Sequence, residues 1–78
     1  MKVNFFGKLA DSIARQVDFD LLQPCTAAEL RVKLDRAFPG RGLADPRVRT
    51  SVGGVIVRDD ATVAGEQPVD MLSPVSGG

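Results

Sequence analysis

Alternation of apolar and polar residues predicts several β-strands along the chain. At residues 2–6 two apolar side chains share one face, and residues 16–21 show the same period of two. The pair Gly53-Gly54 separates two later apolar runs and is typical of a tight hairpin, because both central positions of a type I′ turn require positive φ. The later strands are predicted at 48–52, 55–57 and 69–72, with a short extension at 61–63.

The middle of the chain has a different period, that of an α-helix. Thr26 and Glu29 have the spacing of a capping box, in which each side chain accepts a hydrogen bond from the other residue's backbone N–H. We expect the helix to end at Phe38, because Pro39 disfavours helical geometry in the residue before it. Residues 8–15 predict a second, short helical turn. The apolar stripe of the main helix comprises Ala27, Leu30, Leu34, Ala37 and Phe38.

The order of these elements predicts an α+β fold. Two hairpins flank one long helix, which favours a mixed sheet of four to five strands with the helix packed across one face. The first and last strands can pair in parallel at the sheet centre if the helical crossover lies between the two halves. We expect one domain over residues 1–78, with residues 73–78 forming a flexible C-terminal tail.

Length, charge and residue usage narrow the function classes. A chain of 78 residues builds one modest core, and its ten basic and ten acidic residues give no reason to expect nucleic acid or a membrane surface as partner. The chain contains no histidine, the commonest general base and metal ligand. The single cysteine, Cys25, argues for a reducing compartment. With neither a signal peptide nor a membrane helix predicted, we expect a cytoplasmic protein.

The sequence ends in Val75-Ser76-Gly77-Gly78, which suits a particular chemistry. Without a Cβ, a terminal glycine can bring its carboxylate into a narrow enzyme channel. There the carboxylate can be adenylated and converted to a thioester or thiocarboxylate. The competing interpretation is a passive terminus of small residues or a linker remnant.

Other residues are candidates for chemistry, but structural roles are favoured for them. Cys25 is expected to be a small, partly buried residue at the start of the helix, with Arg31 the nearby group that could lower its thiol pKa. Asp59-Asp60 fits a solvated turn better than a cation site, because no further ligands follow at metal spacing. Most basic residues of the middle segment should lie on a solvated face, with one or two able to pair with an acidic partner enzyme. These are Arg31, Lys33, Arg36, Arg41, Arg47 and Arg49.

A candidate partner surface is predicted near the two ends of the chain. Its members are Phe6, Met71, Leu72 and Val75. If they lie on the outward face of the sheet, they form an exposed apolar patch suited to a partner. A place in the core explains each of them as well.

The element order, the length and the ending together resemble the MoaD/ThiS-type sulfur carriers, which have the β-grasp (ubiquitin-like) fold. That family typically has a first strand like residues 2–6, a helix with a threonine cap as at Thr26, and an ending Pro-Pro-Val-Ser/Thr-Gly-Gly. The closest resemblance is to the small subunit of molybdopterin synthase. Here Ser73 replaces the first proline and Met71-Leu72 replace a common aromatic.

The resemblance implies a carrier without catalytic residues or a bound metal. An E1-like adenylating enzyme (MoeB/ThiF type) would use ATP and magnesium to activate Gly78. A sulfur donor protein would then supply the thiocarboxylate sulfur. The segment Pro74, Val75, Ser76 and Gly77 would insert into the large subunit of molybdopterin synthase, with a heterotetramer as the expected assembly. The sulfur would be used in molybdenum cofactor biosynthesis.

Three alternatives stay open at this point. One is a sulfur carrier for thiamin or another thiolation pathway, favoured by Ser73 in place of proline. The second is a ubiquitin-like modifier joined to lysines through Gly78. The third is a plain β-grasp interaction domain whose terminal Gly-Gly has no chemical role.

Overall fold

The computed structural model describes residues 1–74, which form two helices and seven strands. The predicted alternation of strands and helices is confirmed, and the main helix lies between two groups of strands. In chain order the elements are β1 (Lys2–Phe6), α1 (Lys8–Ser12), β2 (Gln16–Asp18), β3 (Cys25–Thr26), α2 (Ala27–Ala37), β4 (Arg49–Val52), β5 (Val55–Val57), β6 (Thr62–Val63) and β7 (Val69–Leu72).

Five strands within residues 1–74 form one mixed sheet in the order β2-β1-β7-β4-β5. Strands β1 and β7 lie in parallel at its centre, with Val3 opposite Val69 and Phe6 opposite Leu72, while the other neighbours are antiparallel. The predicted pairing of the first and last strands is therefore confirmed. Strands β3 and β6 form a separate two-stranded pair, which was predicted only as a short extension at 61–63.

Helix α2 begins at the predicted capping box. The Glu29 backbone N–H donates to Thr26 Oγ1 at 3.1 Å, and the Thr26 N–H donates to Glu29 Oε1 at 3.0 Å. The helix ends at Ala37 with Phe38 as its C-cap, as Pro39 requires. Ala37 is exposed, so its assignment to the apolar stripe was wrong. Phe38, one residue further along, is half-buried and packs against the core.

The core lies between α2 and the inner face of the sheet. Phe5 and Phe38 meet edge to face, with ring centroids 6.1 Å apart. The Thr50 hydroxyl, also buried, lies 3.7 Å from Met71 Sδ as a hydrogen-bond donor. Within residues 1–74 twelve apolar residues are buried, namely Val3, Phe5, Leu9, Cys25, Ala27, Leu30, Leu34, Leu43, Val48, Val63, Val69 and Met71.

Several elements are shorter than the periodicity predicts. Strand β2 ends at Asp18, not at residue 21, because β1 is its one neighbour among the described strands and Asp18 already lies opposite Lys2, the first residue of β1. Two hydrogen bonds join Met1 to Phe19 just past the paired residues. The Met1 ammonium donates to the Phe19 carbonyl at 2.8 Å, and the Met1 carbonyl accepts from the Phe19 N–H at 2.9 Å. Helix α1 occupies Lys8–Ser12 of the predicted 8–15.

The hairpin between β4 and β5 has the predicted turn chemistry. Gly53 and Gly54 have φ of 58° and 87°, a region that L side chains rarely adopt. Neither helix formed by residues 1–74 has the length and hydrophobicity that crossing a bilayer requires.

Candidate functional site

The carboxyl ends of β1 and β7 lie side by side because the two strands are parallel. Phe6 and Leu72 form their last paired position, and the chain leaves the sheet directly after it through Ser73 and Pro74. We call this region, comprising Phe6, Gly7 and residues 72–74, the tail end of the sheet. Of the predicted tail residues Pro74 is described and half-buried, whereas Val75, Ser76, Gly77 and Gly78 lie outside the described residues.

Ser73 connects the tail end to the junction between β1 and α1. Its Oγ donates to the Phe6 carbonyl oxygen at 3.2 Å and accepts from the Lys8 backbone N–H, also at 3.2 Å. In the sequence, Ser73 stands out only because it replaces a proline. These hydrogen bonds span 65 and 67 residues, and no local pattern predicts them.

The outward face of the tail end carries a short row of side chains from three strands. Phe6 is 49% exposed, Leu72 lies opposite it, and Arg49 of β4 lies opposite Leu72. Arg49 has no ion-pair partner among residues 1–74. We call Phe6, Leu72 and Arg49 the outer row; it combines an apolar surface with a positive charge, which also helps to lower the pKa of Asp59.

Met71 does not belong to this surface: its prediction as a partner residue was wrong, and the alternative place in the core is confirmed. Its exposed fraction is 0%, because successive residues of a strand point to opposite faces and Met71 shares the inward face with Val69. Because the polar Asp70 stands between Val69 and Met71, the sequence already indicated that these two residues face inward. Leu72 lies on the outward face and is half-buried.

Next to the outer row, the sheet carries a ladder of polar side chains. Gln16 Nε2 donates to Asn4 Oδ1 at 2.7 Å, and Asn4 Nδ2 donates to Asp70 Oδ1 at 2.9 Å. On the same face, Ser51 lies opposite Asp70, and Ile56 lies opposite Ser51. The middle of the outward face therefore consists of hydrogen-bonded polar side chains. Its edge at the tail end carries the apolar and positively charged side chains of the outer row.

Cys25 has the features of a structural cysteine. It is a buried member of β3, where it pairs with Val63. Burial raises the pKa of its thiol, the Glu29 carboxylate raises it further, and Lys33 opposes the shift. The cation that acts on Cys25 is thus Lys33 and not Arg31 as predicted. A buried thiol of raised pKa is a poor nucleophile at neutral pH.

Arg31 is buried, which corrects its prediction as part of a solvated face. Its side chain is 6% exposed, and its Nη1 donates to Asp59 Oδ1 at 2.6 Å. This hydrogen bond holds the pKa of Asp59 below its usual value. The turn that carries Asp59 also supports α2, since the Ala28 N–H donates to the Asp59 carbonyl and the Ala27 N–H donates to the Ala61 carbonyl. Asp59 therefore holds the helix in place.

The described part of the chain contains no cluster of three Asp, Glu, Cys or His side chains that could ligate a metal. The carboxyl groups whose pKa values are lowered each take part in a contact that stabilises the fold. Thr26 lowers the pKa of Glu29, and Arg47 lowers that of Asp45. What the tail end offers is a fixed starting point for the last residues of the chain, next to an accessible surface.

Comparisons with solved structures identify the fold. SAMP1 from Haloferax volcanii superposes with a TM-score of 0.76 at 22% identity, covering 99% of this chain and 97% of that chain. A second structure, H. volcanii small archaeal modifier protein 1, gives 0.74 at 18% identity, with 95% of each chain covered. The Pyrococcus furiosus protein named "Putative molybdopterin converting factor, subunit 1" gives 0.75 at 17% identity, again with 95% of each chain covered.

These neighbours confirm the predicted β-grasp fold, and at such low identity they show the fold alone. A comparison with curated proteins found no match. The model of the ThiS family matches residues 3–78, which includes the terminal Gly77-Gly78. Members of the ThiS/MoaD group are small carrier proteins that generally do not catalyse reactions themselves. The match covers nearly the whole chain, and the protein therefore belongs to the ThiS family.

Proposed function

We propose that this protein is a sulfur carrier whose reactive group is the Gly78 carboxylate. The observation that carries the proposal is that the match to the family model extends to residue 78. The chain leaves the centre of its sheet at Ser73, a few residues before that end. Adenylation supplies the leaving group that a carboxylate lacks: a carboxylate oxygen attacks the α-phosphorus of ATP, and pyrophosphate departs. A sulfur donor protein then delivers sulfur at the oxidation level of sulfide, whose electron pair forms the bond to the acyl carbon as AMP departs, which leaves a thiocarboxylate.

The chemistry is done by partner proteins in this proposal. An E1-like adenylating enzyme binds ATP and magnesium and activates Gly78. The carrier contributes a narrow terminus, because neither Gly77 nor Gly78 has a side chain to obstruct a channel. Pro74 restricts the backbone at the base of this segment, which lowers the entropy lost when Val75 and Ser76 enter a partner.

The outer row provides the docking surface beside this terminus. Phe6 and Leu72 offer apolar area, and Arg49 offers a positive charge that has no ion-pair partner among residues 1–74. We infer that the activating enzyme binds here with an apolar patch and an acidic side chain facing Arg49. Such a charge pair increases the rate of encounter and fixes orientation more than it adds affinity.

For the acceptor we propose the large subunit of molybdopterin synthase, with this chain as the small subunit of a heterotetramer. The Pro74-to-Gly78 ending and the fold shared with the P. furiosus protein support this assignment. The thiamin-type alternative rests on the name of the family and on Ser73. The modifier alternative rests on the fold shared with a protein whose name describes it as a modifier.

Intact-mass measurement tests the carrier mechanism. The full chain is incubated with a cognate E1-like enzyme, ATP, magnesium and a sulfur donor, and we expect a mass gain equal to the exchange of one oxygen for one sulfur. A chain that lacks Gly78 should keep the same melting temperature and show no gain. An unchanged wild-type mass, with an enzyme proven active on another carrier, contradicts the proposal.

The acceptor is tested separately with the thiocarboxylated chain. Co-purification with a large synthase subunit and loss of the sulfur upon addition of a pterin precursor support the molybdopterin assignment. Isopeptide-linked lysine conjugates in cells support the modifier in its place. Transfer in a thiazole-forming system assigns the carrier to thiamin biosynthesis.

A further inference from the structure

The Ser73 hydroxyl uses both of its hydrogen-bonding functions at the point where the chain leaves the sheet. A hydroxyl has one donor and two acceptor lone pairs, and here the donor meets the Phe6 carbonyl while a lone pair meets the Lys8 N–H, each at 3.2 Å. Both partners are backbone atoms. A single side chain thus joins the end of β7 to the junction between β1 and α1.

The hydroxyl acts where the backbone cannot. The parallel pairing of β1 with β7 ends at Phe6 and Leu72. Pro74 has no N–H and cannot donate to a neighbouring strand, so the side chain of Ser73 adds the next link between the two strands. Without it, the chain would be released from β1 directly after Leu72.

Helix α1 needs the same hydroxyl for a different reason. The first N–H groups of a helix have no partner inside the helix. The N-cap of α1 is Gly7, which has no side chain to accept from them. Ser73 accepts from Lys8, the first residue of α1, and so provides the missing cap from the other end of the sequence.

Gly7 leaves the space in which this bridge forms. Its φ is +63°, and a Cβ built at this position would collide with Ser73 Oγ. Any side chain at position 7 would therefore be strained and would also displace the hydroxyl. Gly40 has a similar φ of +79° but nothing within 4 Å of its Cβ position, which makes it a matched position for comparison.

We propose that Ser73 is a positioning residue, and that its hydroxyl bridge fixes the direction in which the chain leaves the sheet at Pro74. The proposal rests on the proposed function, because it concerns delivery of the Gly78 carboxylate to an adenylating site. A segment whose base is already ordered in the free protein loses less conformational entropy on binding. The bridge therefore lowers the KM for the carrier and leaves the chemical step unchanged.

The kinetic test uses the full chain as the varied substrate in ATP–pyrophosphate exchange by the E1-like enzyme. We expect Ser73→Ala to raise KM about five- to tenfold, which corresponds to the entropy of ordering roughly one residue, with kcat unchanged. Ser73→Thr keeps a hydroxyl and should restore most of the wild-type KM. Ser12→Ala is the matched control, since Ser12 is exposed and its Oγ accepts only from Arg41 within the described residues.

A second measurement does not depend on any enzyme. In the free protein, Ser73→Ala should speed hydrogen exchange of the Lys8 amide and lower the NMR order parameters of Val75 and Ser76. Gly7→Ala should reproduce these changes, whereas Gly40→Ala, which carries backbone strain alone, should not. A purely structural role for Ser73 would lower the melting temperature and leave both KM and the order parameters unchanged.

The results separate the two proposals. If no variant is adenylated, the proposed function fails, while the exchange and order-parameter changes still support a bridge that directs the last residues. If the wild type is adenylated and Ser73→Ala has the same KM and the same order parameters at Val75 and Ser76, the positioning role is overturned and the carrier function stands.

Discussion

The two faces of β7 have different tasks although the strand has only four residues. Val69 and Met71 point inward and are fully buried. Asp70 and Leu72 point outward, where Asp70 accepts from Asn4 and Leu72 lies between Phe6 and Arg49. Residues adjacent in sequence are thus divided by the period of two into an inward-facing set in the core and an outward-facing set.

This separation fits a small carrier well. A chain of 78 residues has little core to spare, and its inner face is closed by α2, with Leu30 and Leu34 fully buried. The outer row contributes little to that core, so its side chains are free to suit a partner. We therefore expect substitutions on the inner face to lower stability and substitutions in the outer row to weaken partner binding.

The largest effect is expected for Met71→Ala on the inner face. Truncation of a fully buried methionine removes apolar contacts and leaves a cavity, and should lower the free energy of unfolding by about 2–5 kcal/mol. Leu72→Ala is the matched control on the outer face and should lose less than about 1.5 kcal/mol, because Leu72 is only half-buried. Urea titration of both variants checks this, and equal losses would remove the distinction between the faces.

A smaller effect, on binding, is expected for Phe6→Ala. If the outer row docks the activating enzyme, loss of the half-exposed ring should weaken the complex by about 1–2 kcal/mol, with little change in melting temperature. Ile56→Ala is the control: Ile56 is 61% exposed on the same face but belongs to the edge strand β5. Calorimetric titration of the two variants against the enzyme decides the matter. Equal weakening by both, or by neither, would contradict a binding surface centred at the tail end.

Local interactions account for the features that sequence predicted well. The capping box needs only Thr26 and Glu29, three residues apart, so the start of α2 was predicted correctly. The Gly53-Gly54 turn likewise depends on its own backbone angles. The central parallel pair followed from element order and the rules of sheet connection.

The features that sequence did not predict depend on distant partners. Burial of Arg31 requires Asp59, which is 28 residues away, and the Ser73 bridge requires Lys8 and Phe6 at the other end of the chain. The β3–β6 pair escaped prediction as a separate sheet because two-residue strands are too short to show a period. For Met71 the sequence did contain a signal, since alternation with the polar Asp70 places Met71 on the inward face. An apolar residue next to the tail was nevertheless also compatible with the outward face.

The smallest expected effect is the part of the stability loss in acid that arises at Glu29, in the helix that covers the inner face. The pKa of Glu29 lies below its ordinary value of 4.5, mainly because its carboxylate accepts from the Thr26 N–H. A carboxyl whose pKa is lower in the folded state stabilises the fold above its unfolded pKa, and that contribution is lost as the pH falls through the folded pKa. We therefore expect the free energy of unfolding to decrease as the pH drops below about 4.5. Glu29→Gln can still accept from Thr26 but does not titrate, so urea titrations at several pH values should give it a shallower decrease. An identical pH dependence of the wild type and Glu29→Gln would mean that protonation of other groups causes the loss of stability. Partner binding is the control: the outer row contains no carboxyl group, so both proteins should bind the partner through Phe6 equally well at neutral pH.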